Sequence, residues 1–66
     1  MNKTIQKVIS ECGTQQKLAE LCRVKQPTVN KWLSGGGIKG KYIPLIAQAS
    51  NGKVTENEIL RSLSEN

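Results

Sequence analysis

The sequence predicts an all-α fold in which five short helices surround one hydrophobic core. Three features of the chain support this prediction. Apolar residues recur at the three- and four-residue spacing of a helix face, glycine-containing stops separate these segments, and no segment shows a useful length of strand-like alternation. The 66 residues should form a single domain, 1–66. A domain of this size buries only about 60% of the surface of its unfolded chain and has little room for a catalytic cavity.

The first two helices are predicted from an amphipathic segment and from the residues that end it. The apolar residues of the first segment recur at i, i+3, i+4 and i+7: Ile5, Val8, Ile9 and Cys12. They predict a helix over residues 3–12, which Gly13 should end by adopting a left-handed conformation. Thr14 is the expected N-cap of a second helix, which should end near Cys22. Its inward residues are expected to be Leu18, Ala19, Leu21 and Cys22.

A third helix is predicted after a three-residue turn formed by Arg23, Val24 and Lys25. Gln26 and Pro27 should open it, because proline is tolerated where a first-turn N–H has no partner within the helix. The Ser-Gly-Gly-Gly run at residues 34–37 should end it. The buried side is expected to consist of Val29, Trp32 and Leu33.

The fourth and fifth helices are predicted from their own start and stop residues. The fourth should run from about Lys41 to Ser50, with Pro44 in or beside its first turn, and should end at the Asn-Gly pair 51–52. The fifth should begin with a capping box between Thr55 and Glu58. Its hydrophobic staple and buried face are expected to comprise Val54, Ile59, Leu60 and Leu63.

The positive charge of the chain is concentrated in its centre. The formal net charge of +5 arises entirely between residues 17 and 41, because the remaining cations and carboxylates balance. The six cations of this basic segment are Lys17, Arg23, Lys25, Lys31, Lys39 and Lys41, against Glu20 alone. A localised basic patch is typical of proteins that bind a polyanion, although it also occurs on faces that are simply solvated.

Composition argues against several other classes of protein. The chain has no His, and its two cysteines, Cys12 and Cys22, stand where helices need apolar residues. We therefore expect them to pack in the core rather than to form a disulfide, a redox centre or a metal site. An enzyme is not expected, and no cofactor is implied. The N-terminus leads directly into an amphipathic segment and no long apolar run follows, so we expect a cytoplasmic protein.

Two features of the sequence also fit other kinds of nucleic-acid or nucleotide site, and both alternatives are disfavoured. An exposed Trp32 among cations could stack on single-stranded bases, but its helical spacing with Val29 predicts a core residue. Residues 35–41 match the spacing of a phosphate-binding loop, GxxxxGK. Tyr42 stands where such a loop needs Ser or Thr, and no predicted strand precedes it. These glycines instead indicate a helix stop and a close approach to the backbone of a polyanion.

The segment from Gln15 to Leu33 has the spacing of a helix-turn-helix, two short helices of which the second is basic and polar outside. Ala19, its fifth residue, provides the small side chain that a close helix crossing requires. The unit resembles the Cro and repressor-type helix-turn-helix domains of lambdoid bacteriophages. The matching segments are GTQQKLA at 13–19, VKQPTVNKWLSG at 24–35 and KYIPLI at 41–46, followed by NG at 51–52 and VT at 54–55. Arg23 departs from the pattern, since glycine is common at this ninth position, where the turn needs a positive φ.

The resemblance implies a transcriptional repressor that binds a palindromic operator in double-stranded DNA as a homodimer. Free in solution, we expect a weak dimer or a monomer. A full phage repressor of this type would carry a second, dimerising domain, so the chain length favours the Cro members. The third helix would enter the major groove while the second crosses the backbone. The residues expected at this interface are Gln15, Gln16, Lys25, Gln26, Pro27, Thr28, Asn30, Lys31, Lys39 and Lys41.

These residues are expected to divide between base reading and backbone binding. Gln26 is the first candidate for base reading, because its amide can donate to adenine N7 and accept from N6. Thr28 and Pro27 offer contacts to a thymine methyl. Asn30 and Lys31 are further candidates for base contact, in a part of the helix where bases or phosphates are within reach. Gln15 is placed for a phosphate at a helix N-terminus, and Lys25, Lys39 and Lys41 for phosphates without sequence information.

Two other functions fit the same residues. The first is a Cro-like antitoxin or regulator of a host or prophage operon, with the same fold and DNA contacts. The second, from a different class, is a protein-interaction module whose basic face meets an acidic partner. The residues do not specify the operator sequence, the promoter, or whether binding represses or activates.

Overall fold

A computed structural model describes residues 1–65 of the chain, with side chains for residues 1–64. Within this part it contains only helices, as predicted, and no strand. None of these helices is long and apolar enough to cross a membrane. The helices are α1 Lys3–Cys12, α2 Gln15–Cys22, α3 Gln26–Leu33, α4 Ile43–Ala49 and α5 Glu56–Glu65, with a 3₁₀ turn at Gly40–Tyr42.

Helix α1 has the predicted bounds and an N-cap that the sequence analysis did not identify. The side chain of Asn2 accepts a hydrogen bond from the Ile5 N–H at 3.0 Å, which satisfies one of the free donors of the first turn. Gly13 ends the helix with φ of +117° and ψ of −62°. The positive φ agrees with the prediction, but the pair of angles lies outside the left-handed helical region.

Helices α2 and α3 enclose the predicted turn. Thr14 caps α2, its Oγ1 accepting from the Lys17 N–H at 3.0 Å. Arg23 ends α2 in the left-handed conformation, with φ of 59° and ψ of 40°. The N–H of Val24 then donates to the Ala19 carbonyl at 2.9 Å, which fixes the direction in which the chain leaves the turn.

The predicted fourth helix is divided in two. Its first two residues, Lys41 and Tyr42, belong with Gly40 to the 3₁₀ turn, and α4 begins only at Ile43. Pro44 explains the division, since it lacks the N–H that an α-helix would donate to Gly40, and its ring would clash with that carbonyl. The Ile43 N–H donates to the Gly40 carbonyl instead, in the tighter three-residue pattern.

Helix α5 begins with the predicted capping box. The Thr55 N–H donates to Glu58 Oε1, and the Glu58 N–H donates to Thr55 Oγ1, each at 3.2 Å. Val54 and Ile59, the two residues of the predicted staple, are both fully buried.

One core joins all five helices, which pack mainly through α1, α2 and α4. Its buried apolar residues are Ile5, Val8, Leu18, Ala19, Cys22, Val29, Trp32, Ile38, Ile43, Ile46, Ala49, Val54 and Ile59. Two predicted core residues are exposed, Leu21 by 43% and Leu60 by 49%. Four others are only half-buried against this core: Ile9, Cys12, Leu33 and Leu63. Leu21 directly precedes the fully buried Cys22, and Leu60 directly follows the fully buried Ile59, so each points about 100° away from a core residue of its own helix.

Candidate nucleic-acid interface

The α2–turn–α3 unit is held from inside by the apolar residues that the sequence analysis placed there. Leu18 and Val29 are fully buried, and Trp32 is 2% exposed, so the tryptophan is a core residue. Ala19 is also buried, which allows α2 and α3 to pack closely. The unit is therefore a rigid support for whatever side chains α3 presents outward.

The outward side of α3 carries the predicted reading residues. Gln26, Pro27, Asn30 and Lys31 are exposed, and Thr28 is half-buried on the flank of the helix. Pro27 lies in the first turn of α3, where its missing N–H has no partner within the helix. The exposed amides of Gln26 and Asn30 are suited to the edges of bases, which present donors and acceptors side by side in the major groove.

The remaining predicted residues lie around this helix. Gln15 is half-buried and Gln16 exposed, both at the N-terminus of α2. Lys25, the N-cap residue of α3, and Lys39, before the 3₁₀ turn, are exposed. All six cations of the basic segment are exposed, so their charge is accessible to a polyanion.

The structure brings three predicted residues together more closely than the sequence could indicate. Thr28 and Lys31 on α3 line a common groove with Lys39. Tyr42, which the sequence analysis did not expect beside the DNA-binding residues, lines the same groove. Lys41 is turned toward this tyrosine, with its Nζ 5.2 Å from the ring centroid. No local pattern would have assigned Tyr42 to the interface, because its position depends on the fold of the loop.

The two cysteines are free and are placed for packing rather than chemistry. Cys22 is fully buried, and this burial raises the pKa of its thiol to about 11, with a smaller contribution from nearby Cys12. Burial also raises the pKa of the half-buried Cys12. Both groups are therefore held as neutral thiols near neutral pH. Among the described residues, no three Cys, Asp or Glu side chains gather as a group that could hold a metal ion.

Comparison with known families gives one match, which covers nearly the whole chain. Residues 5–64, from the first turn of α1 into the last turn of α5, match the model of the family described as Bacterial toxin YdaS. No individual curated protein and no solved structure matches significantly.

Proposed function

The chain belongs to the YdaS toxin family, a group of small prophage-encoded bacterial proteins, and we propose that it is a sequence-specific DNA-binding regulator of prophage transcription. The observation that carries this proposal is the exposed N-terminal half of α3. Gln26, Pro27 and Asn30 project from a helix whose opposite side is locked into the core by Val29 and Trp32. They lie within the segment that holds the entire excess charge.

In the proposed mechanism, α3 enters the major groove and the N-terminus of α2 meets the DNA backbone. The basic segment supplies affinity without sequence preference, and the amides of Gln26 and Asn30 supply discrimination between bases. Two copies bind the half-sites of a palindromic operator about one helical turn apart and block polymerase by occupying it. This is the mode of a Cro-type repressor, and it requires binding alone, without catalysis or a cofactor.

The proposal is tested by selecting bound duplexes from a random DNA library at low and at physiological salt. We expect a two-fold symmetric motif to be recovered at both concentrations. Gln26→Ala should weaken binding by roughly 1–3 kcal/mol and relax the preference at one base pair of each half-site. Gln6→Ala is the matched control, since Gln6 is equally exposed but lies on α1. Enrichment without a motif, lost as salt rises, would leave only charge-driven binding and would refute the proposal.

The description of the family favours a second candidate function, inhibition of bacterial growth. Controlled expression of the wild-type chain and of Gln26→Ala in a bacterial host separates the two. If growth inhibition results from occupying promoters, the loss of DNA binding should relieve it. Growth arrest of equal strength by folded Gln26→Ala, in spite of its weakened operator binding, would assign the toxicity to another activity.

A further inference from the structure

A groove with a volume of about 340 Å³ runs between the flank of α3 and the segment around the 3₁₀ turn. Its polar lining residues are Thr28 and Lys31, one helical turn apart on α3, together with Lys39 and Tyr42. We call the groove lined by these four residues the flank groove. Its lining also includes Val24, Trp32 and Gly37.

The ring of Tyr42 in the groove lies close to two neighbouring side chains. The ring of Tyr42 lies 5.6 Å from that of Trp32, tilted by 47°, and the ammonium of Lys41 lies 5.2 Å from its centroid. Trp32 is itself 2% exposed and anchored in the core. A phenol packed in this way loses little conformational entropy when it binds a ligand, so the groove is partly preorganised.

The polar groups of the flank groove are suited to an anion. Lys31 and Lys39 bring two ammonium groups, Thr28 and Tyr42 bring two hydroxyls that can donate, and no carboxylate is among its described lining residues. Cationic and hydroxyl donors around one site are the set that phosphate oxygens accept from. The groove also borders directly on α3, which is the helix proposed to enter the DNA.

Gly37, which also lines the groove, is a further observation that is consistent with an external ligand. A Cβ built on this residue would meet nothing within 4 Å, so no internal packing requires glycine there. Gly36 differs, since its Cβ would lie 2.9 Å from the Lys31 carbonyl oxygen. Gly37 therefore leaves open space beside the groove, into which an external backbone can approach closely.

We infer that the flank groove binds a phosphodiester of the DNA backbone, and that Thr28 and Lys31 hold the backbone rather than read bases. This inference rests on the proposed function. It removes two residues from the expected reading set, leaves base reading to Gln26, Pro27 and Asn30, and adds Tyr42 to the interface.

The experiment uses the full chain and two fluorescein-labelled duplexes, one of random sequence and one recovered by the library selection. Four variants each remove one polar group of the groove while keeping its approximate shape: Thr28→Val, Lys31→Met, Lys39→Met and Tyr42→Phe. Lys7→Met is the matched control, because Lys7 is an exposed lysine of α1. Affinities are measured over a range of salt concentrations, and thermal unfolding verifies that every variant is folded.

Each groove variant should lose roughly 3- to 10-fold in affinity for both duplexes, so that the ratio between them stays constant. The two lysine variants should also lower the slope of log K against log salt by about one. A change in the preferred base in Thr28→Val or Lys31→Met would overturn the inference. Wild-type affinity and salt dependence in all four variants would overturn it as well. A wild-type chain that binds neither duplex would instead refute the proposed function itself, and the groove assignment with it.

Discussion

Arg23 shows at the scale of a single residue how this chain departs from the usual helix-turn-helix. Its φ of 59° lies in the left-handed region, where a side chain with a Cβ is disfavoured by roughly 1–2 kcal/mol. The guanidinium is exposed and lies in the basic segment. The sequence predicted the positive φ correctly, because the ninth position of the unit requires it whichever residue stands there.

Replacing Arg23 with glycine should therefore stabilise the domain. We expect Arg23→Gly to raise the free energy of unfolding by about 1 kcal/mol, measured by urea denaturation, because glycine adopts this φ without strain. Arg23→Ala is the control, since it removes the charge but retains the Cβ. An equal gain in both variants would show that the arginine charge, and not the backbone angle, is destabilising.

The buried thiol of Cys22 should make stability depend on alkaline pH. Its pKa is raised from 9.0 to about 11 by burial. A raised pKa means that the folded chain holds this proton more tightly than the unfolded chain does. The contribution is fully present below pH 9 and is lost as the pH rises toward 11. Urea midpoints measured across this interval should fall more steeply for the wild type than for Cys22→Ala. Parallel curves would exclude the thiol as the source.

At the scale of elements, most helix ends follow from neighbouring residues, and the structure confirms them. The caps at Thr14 and Thr55 and the stop at Gly13 depend on interactions within four residues, which a local pattern contains. Leu21 and Leu60 were wrongly predicted to be buried. Each lies at the edge of the apolar face of its helix, and a residue there is buried only if a neighbouring helix covers it. That depends on the packing of α1, α4 and α5.

Helix α5 should depend measurably on its capping box. Thr55→Ala removes the oxygen that accepts from the Glu58 N–H at 3.2 Å. We expect the free energy of unfolding to fall by about 1 kcal/mol in urea denaturation. Asn57→Ala is the control, since Asn57 is exposed in the same turn and belongs to neither box nor staple. Equal losses in both variants would attribute the effect to general helix propensity.

At the scale of the whole molecule, contacts between distant parts of the chain escaped prediction. The Asn2 side chain donates to Ser62 Oγ at 3.0 Å, and the Asn2 N–H donates to the Leu33 carbonyl at 2.7 Å. This residue thus joins the start of α1 to the end of α3 and to α5, while it is 1% exposed. Tyr42 is a second case, since only the folded loop brings it to α3. Asn2 also has a local role as the N-cap of α1, but its distant partners, like the neighbours of Tyr42, are set by the tertiary arrangement.

The distribution of charge was readable from the sequence, and it leads to a prediction for the molecule as a whole. Two double variants carry the same net charge but lose their lysines in different places. Lys25→Met with Lys41→Met removes two cations of the basic segment, and Lys3→Met with Lys7→Met removes two exposed cations of α1. If the basic segment meets DNA phosphates, the first pair should lower the slope of log K against log salt by about two. The second pair should leave the slope almost unchanged, since charges beyond a Debye length of about 10 Å at moderate salt are largely screened.

The slopes are obtained by titrating a random-sequence duplex at several salt concentrations. Equal slopes for the two pairs would mean that net charge alone drives binding, and that no face of the molecule is specialised for DNA.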